Sequence, residues 1–132
     1  MSSKSRGPTK LIIRDRPWTW NQHWGGVHWS KRSREKSRVK ALVFSAVRDQ
    51  LGENVEPYQE TVEVTFTFYN GGRAIDWDNL CIKPYQDALV GLLIEDDNPK
   101  FVRGGHILLR NDKEDPRLEI EIIPLTKRKG PV

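Results

Sequence analysis

Cysteine is nearly absent from this chain. Cys81 is the only one, so neither an internal disulfide nor a cysteine-built zinc site is available. Histidine is scarce too. His23 and His28 stand five apart with no cysteine or carboxylate cluster beside them, and they read as polar surface residues rather than ligands. No run of 18 apolar residues occurs, and the mean hydropathy is −0.67, which excludes a helical membrane span. The opening MSSKSRGPTK lacks the apolar stretch of a secretory signal. Internal repeats and long low-complexity tracts are missing as well. These absences point to a reducing, cytoplasmic compartment and to no membrane partner.

The chain has 132 residues, which is one domain's worth, and its 5 Trp, 4 Phe and 3 Tyr can anchor a small core. Charge is unevenly spread. Residues 1–48 hold 12 Lys/Arg against Asp15 and Glu35, a net +10. Residues 49–126 are acidic at −9, and Lys127, Arg128 and Lys129 return +3. A basic first third reads as a surface for a polyanion such as nucleic acid, or else as a solvated helix face. The acidic remainder suggests carboxylates kept for another purpose, such as holding a cation.

Residues 1–10 read as a disordered basic arm, 11–125 as the folded domain and 126–132 as a basic tail. Lys10 to Arg14 is a short strand candidate. Ser30 is a candidate N-cap for a helix running to Leu51, because Val39, Leu42, Val43, Ala46, Val47 and Leu51 recur at helical spacing. Gly52 suits the position after its end. Lys31, Arg32, Arg34, Lys36, Arg38 and Lys40 crowd its first half and oppose the helix dipole there. Thr61 to Tyr69 alternates like a half-buried strand. Asp78 to Leu93 is a second helix candidate, with Pro84 delaying or kinking its start. Phe101 to Arg110 is a strand broken by Gly104-Gly105, and Leu118 to Ile123 is another, the two expected to form a hairpin. The predicted fold is α+β in the order β-α-β-α-β-β, one sheet covered by two helices.

Asp76-Trp77-Asp78-Asn79-Leu80 follows a glycine loop. In an extended segment Asp76 and Asp78 project from one side, and two such carboxylates repel unless a cation lies between them. Mg²⁺ suits such a pair, since it takes one or two carboxylates, keeps waters and accepts a substrate phosphate. Glu95-Asp96-Asp97 adds three acids further on. A helix of about 15 residues between the two groups would span about 22 Å, so they meet only if a shorter helix and its loops fold back. The alternative is structural: Asp78 or Asn79 caps the helix, and Asp96 to Pro99 is a turn. Lys83 either pairs with Asp87 at i,i+4 or neutralises a phosphate oxygen near the metal. Trp18, Trp20, Trp24 and Trp29 fall within twelve residues. They suit a core or an interface better than stacking on unpaired bases.

Asp76-Trp77-Asp78-Asn79-Leu80, Lys83, Asp87-Ala88-Leu89, Gly91 and Asp96-Asp97, with the upstream Asn21 and His28-Trp29-Ser30-Lys31-Arg32, resemble the RusA family of phage and prophage Holliday junction resolvases. The resemblance runs from about Pro17 to Ile123. It implies a Mg²⁺-dependent, homodimeric endodeoxyribonuclease that resolves four-way DNA junctions in recombination and repair. Its catalytic and metal-binding aspartates fall on Asp76, Asp78 and Asp97, and its helix lysine on Lys83. One departure is visible: here the lysine follows the second aspartate by five positions rather than four, and an insertion ahead of Lys83 accounts for it. Arg14, Arg16, Lys31, Arg32, Arg34, Lys36, Lys100 and Arg103 are the cations expected to hold the DNA backbone. Two rival readings use the same residues: a related Mg²⁺ nuclease for other branched DNA, and a non-catalytic DNA-binding protein.

Overall fold

The structure, a computed structural model, describes residues 7–15, 29–72 and 75–125. Arg16, the side chain of Lys31, the tryptophan-rich stretch and both charged ends lie outside the described residues. The elements are β1 (Thr9–Ile13), α1 (Trp29–Leu51), β2 (Val62–Asn70), a 3₁₀ turn (Trp77–Asn79), α2 (Lys83–Leu89), β3 (Val102–Asn111) and β4 (Arg117–Pro124). They form the expected small α+β domain, with a four-stranded sheet ordered β1-β4-β2-β3 and the helices over it. Among the described residues, no helix is long and apolar enough to cross a membrane.

Period-two patterning positions the sheet. Val62, Val64, Phe66 and Phe68 are buried along β2, as are Leu118, Ile120 and Ile122 along β4 and Leu11 and Ile13 along β1. Register aligns them in rows: Leu11 opposes Ile120, which opposes Phe66. A one-residue slip would turn each row to the solvent, so the alternation itself specifies the pairing. The other face carries half-buried polar residues. There Arg117 donates to Glu119 at 2.7 Å and to Asp112 at 2.9 Å, and its guanidinium lies 3.8 Å from the Tyr69 ring centroid.

α1 buries Val39, Val43, Ala46 and Val47. It ends as expected: Gly52 adopts φ +101, and its N–H donates to the Arg48 carbonyl at 3.1 Å. The Gln50 amide reaches β1, accepting from the Ile12 N–H and donating to the Ile12 carbonyl.

Three expectations need correction. The helix expected over Asp78 to Leu93 is a 3₁₀ turn, an extended Leu80 and a seven-residue α2. Pro84 has no N–H to give an earlier turn, so it stands in the first turn of α2 instead. The chain then turns through Gly91 at φ +86. The last two strands are not a hairpin. β2 lies between them, parallel to β3 and antiparallel to β4. Nor does Gly104-Gly105 break β3: the register skips Arg103 between Val62 and Glu63, so the glycines continue past a bulge. A Cβ on Gly105 would lie 1.7 Å from the Val64 carbonyl oxygen, so only glycine lets β3 approach β2 there.

The layers are joined by Asp15, just beyond β1. Its carboxylate accepts from the Tyr85 hydroxyl of α2 at 2.6 Å and from both terminal nitrogens of Arg38 of α1 at 3.3 Å. Its side chain is only 10% exposed. Arg38 also donates to Glu35 at 3.0 Å. Burial works against the Arg38 charge, but the two carboxylates outweigh it and hold the guanidinium pKa above its usual value.

Tyr85→Phe should lower the unfolding free energy by about 1–3 kcal/mol, because a desolvated carboxylate loses a donor. Asp15→Ala should cost more, since it strands both donors. Urea unfolding measures both, and an unchanged midpoint for Tyr85→Phe would show that Asp15 is satisfied without it. The Arg117 cluster generates a pH prediction. Burial pushes Glu119 upward, but bonds from Arg117 and Lys10 outweigh it and hold the carboxyl below its usual range. Arg117 also holds Asp112 low. Folded pKa values below the unfolded ones add stability above the ordinary carboxylate range, and this is lost as pH falls from that range through the lower folded values. The Tm gap between wild type and Arg117→Leu should therefore be widest above about pH 5, narrow as pH falls through about 4, and close only below the lowered folded pKa values. A gap that ignores pH would leave Arg117 with only its packing on Tyr69.

Candidate functional site

The segment from Ile75 to Leu80 is short and mostly exposed, yet it is tied down. Asp76 is extended (φ −83, ψ 138), the Asn79 N–H donates to its carbonyl at 3.0 Å, and the Leu80 N–H donates to the Trp77 carbonyl at 3.2 Å. Trp77 is 57% exposed, but its indole Nε1–H donates to the Ile107 carbonyl of β3 at 2.5 Å. β3 is an edge strand, so this bond uses an outward carbonyl that the ladder leaves unpaired. Thus the residue between the two aspartates fixes their turn to the sheet edge.

Neither aspartate caps α2. The residue at its N-cap is Ile82, with no side-chain capping bond, and Asp76 makes none to the 3₁₀ turn. Asp76 and Asp78 are exposed, and among the described residues neither carboxylate forms a hydrogen bond or ion pair. The second acidic group divides differently. Asp96 accepts from the Asp97 N–H at 2.7 Å and from the Asn98 side-chain amide at 3.0 Å, so it builds the turn that leads toward β3. The Asp97 carboxylate has no such duty and is exposed. The fold does not gather the three into a ready-made cage: among the described residues, no group of three or more His, Cys, Asp or Glu is arranged to hold a metal ion.

Lys83 opens α2 and lies 3.5 Å from Asp87, the expected i,i+4 pair. Both side chains are over 40% exposed, so water weakens the pair. Between α1 and α2 lies a groove of about 200 Å³ lined by Lys36, Lys40, Pro84, Asp87 and Ala88. A wider concavity of about 610 Å³ is lined by Arg14, Asp15, Glu35, Arg38 and Pro116.

The candidate backbone-binding cations have different surroundings. Arg34 and Lys36 are exposed on α1, and Arg103 is the exposed bulge residue of β3. Arg32 is half-buried. Arg14 makes a fork of 3.1 and 3.0 Å onto Asp115, and Lys100 lies 5.5 Å from the Phe101 ring centroid. Sequence reasoning missed Lys40 as a groove residue and Trp77 as the anchor of the turn. Only the tertiary fold reveals Trp77, because Ile107 is thirty residues away.

In comparisons with known proteins, no family model and no curated protein matches the chain.

Because Asp96 is engaged locally and the other acids are not, stability should separate them. Asp96→Ala should cost about 0.5–1.5 kcal/mol. Asp76→Ala, Asp78→Ala and Asp97→Ala should each stay within about 0.5 kcal/mol of wild type. Chemical denaturation of the four variants checks this, and a large loss at Asp76 or Asp78 would make that carboxylate a structural element.

Proposed function

We propose that the protein is a Mg²⁺-dependent endodeoxyribonuclease for branched DNA, with four-way junctions as its substrate, as the RusA resemblance implies. The observation that carries this reading is the pair of exposed aspartates, Asp76 and Asp78, held on a turn anchored to the sheet edge while their carboxylates serve no capping or ion-pairing role among the described residues. Asp78 lies in the 3₁₀ turn rather than in an extended run with Asp76, so the fit to Mg²⁺ rests on two exposed hard oxygen donors, which suffice when substrate phosphate and water complete the shell. When bound, the ion supplies a more acidic water and a counter-charge for the phosphate. Asp76 and Asp78 would hold it, and Asp97, which the fold does not gather with them, would join as the third carboxylate that the resemblance implies. Lys83, only weakly retained by Asp87, offsets negative charge developing on the phosphate.

The cations of α1 supply the backbone hold. Arg34 and Lys36, with Lys31 and Arg32 beside them in sequence, present positive charge to phosphates without reading bases. A homodimer would match the two-fold symmetry of a four-way junction and bring one carboxylate pair to each of two strands.

The test is cleavage of a synthetic four-way junction and a matched linear duplex, with and without Mg²⁺. Wild type should cut only the junction and only with the metal. Asp76→Asn and Asp78→Asn should lose cleavage by at least about 100-fold while binding the junction as well or better, because negative charge facing DNA is removed. Asp97→Asn should follow them, whereas Asp96→Asn should retain partial activity that rises with Mg²⁺. Wild-type cleavage by either Asp76→Asn or Asp78→Asn would remove the metal assignment. Tight junction binding without cleavage at any Mg²⁺ concentration would favour a non-catalytic DNA-binding protein.

A further inference from the structure

α1 carries an exposed aromatic that the core does not use. Phe44 is 50% exposed and borders the buried face: Val39 and Ala46 lie roughly 140–160° around the helix from it, and Val47 roughly 60°. At 100° per residue, Arg34, Ser37, Ala41 and Arg48 share its outward face, and Lys36 and Lys40 flank it towards the α2 groove. The Arg48 guanidinium lies 5.9 Å from the Phe44 ring centroid. Ser37 and Ala41 are small, so on this face the Arg48 side chain is the group that lies over the ring. The face is also one-signed. Among the described residues, no ion pair engages Arg34, Lys36, Lys40 or Arg48. Glu35 is turned inward onto Arg38, and Asp49 projects roughly 140° around the helix from Phe44. α1 has no acid in its first turn, and Arg48 stands in its last turn, where the helix dipole favours a cation.

We propose that this face of α1 contacts the branch point of the DNA, with Phe44 stacking on an unpaired or unstacked base there and the four surrounding cations holding the flanking phosphates. A cation ring alone binds any duplex, because phosphates repeat along it. An aromatic at its centre adds a contact that only an accessible base face can satisfy, and base–aromatic stacking tolerates any sequence. Phe44 is therefore a selectivity residue for branched over linear DNA. The inference rests on the DNA reading above.

The test is equilibrium binding in EDTA of fluorescent four-way junction, linear duplex and single strand, at several salt concentrations. Phe44→Ala should weaken junction binding about 5- to 100-fold, leave duplex binding within about 2-fold, and keep the salt slope. Phe44→Tyr should restore junction binding. Lys40→Ala should weaken both DNAs and flatten the salt slope by up to about 0.9. A 2-aminopurine at the branch should change fluorescence with wild type and Phe44→Tyr but not with Phe44→Ala. If wild type prefers the junction and Phe44→Ala keeps that preference, this inference fails while the DNA reading stands. If wild type binds no DNA, both fail. If Phe44→Ala instead turns a dimer into a monomer in light scattering, the ring belongs to a contact between copies and the proposal is overturned.

Discussion

The Asp15 carboxylate joins the three parts of the fold that must agree for any surface to be well defined. It leaves β1, receives Arg38 from α1 and receives Tyr85 from α2. Apolar packing alone resists separation of helix and sheet but resists sliding only weakly. A carboxylate held by a forked guanidinium and a hydroxyl has directional demands, so it fixes how the helices register. That registry sets Lys36 and Lys40 of α1 against Pro84, Asp87 and Ala88 of α2 and shapes the groove between them. Because Asp15 is nearly buried, losing either donor would leave charge poorly solvated, which makes the junction specific as well as attractive.

The sheet edges carry a second constraint. With β1 and β3 outermost, two rows of backbone groups would face water or another strand. Side chains engage both edges. Gln50 pairs with both backbone groups of Ile12, and Trp77 donates to Ile107. The second case links fold to site, since the indole covering the β3 edge lies between the two aspartates. The bulge at Arg103 sits on the same strand and disrupts the ladder nearer its start.

How much of this was legible in sequence depended on whether the signal was local. The alternation in β2 and β4 and the helical spacing in α1 declared themselves, because burial on one face leaves a periodic trace. Gly52 marked its helix end for an equally local reason. The β3–β4 pairing was misread because adjacent strands with a short turn look like a hairpin, and nothing in Asn111 to Pro116 reveals that β2 inserts between them. The helix expected over Asp78 to Leu93 failed on Pro84 and on the need for Leu80 and Cys81 to enter the core. At the candidate site, Asp76, Asp78 and Asp97 were visible as a motif. What distinguishes Asp97 from Asp96 is a pair of turn hydrogen bonds, and what anchors Trp77 is a carbonyl on another strand. Neither leaves a periodic mark.

Net charge is the poorest guide to this surface, because the structure sorts its cations into two groups. Lys10, Arg14, Arg38 and Arg117 each face a carboxylate within 3.3 Å, which from the later chain engages Asp112, Asp115 and Glu119. Those cations hold strands, loops and helices together. Arg34, Lys36, Lys40 and Arg48 have no such carboxylate among the described residues, and they lie on one helix around Phe44. Both acids of the first 48 residues pair with Arg38, Asp15 taking Tyr85 as a further donor, so neither offsets the cations around Phe44. A formal charge of +4 therefore conceals a concentrated positive face beside an acidic remainder of the domain. It is the local field of that face, rather than the total, that governs attraction of a polyanion.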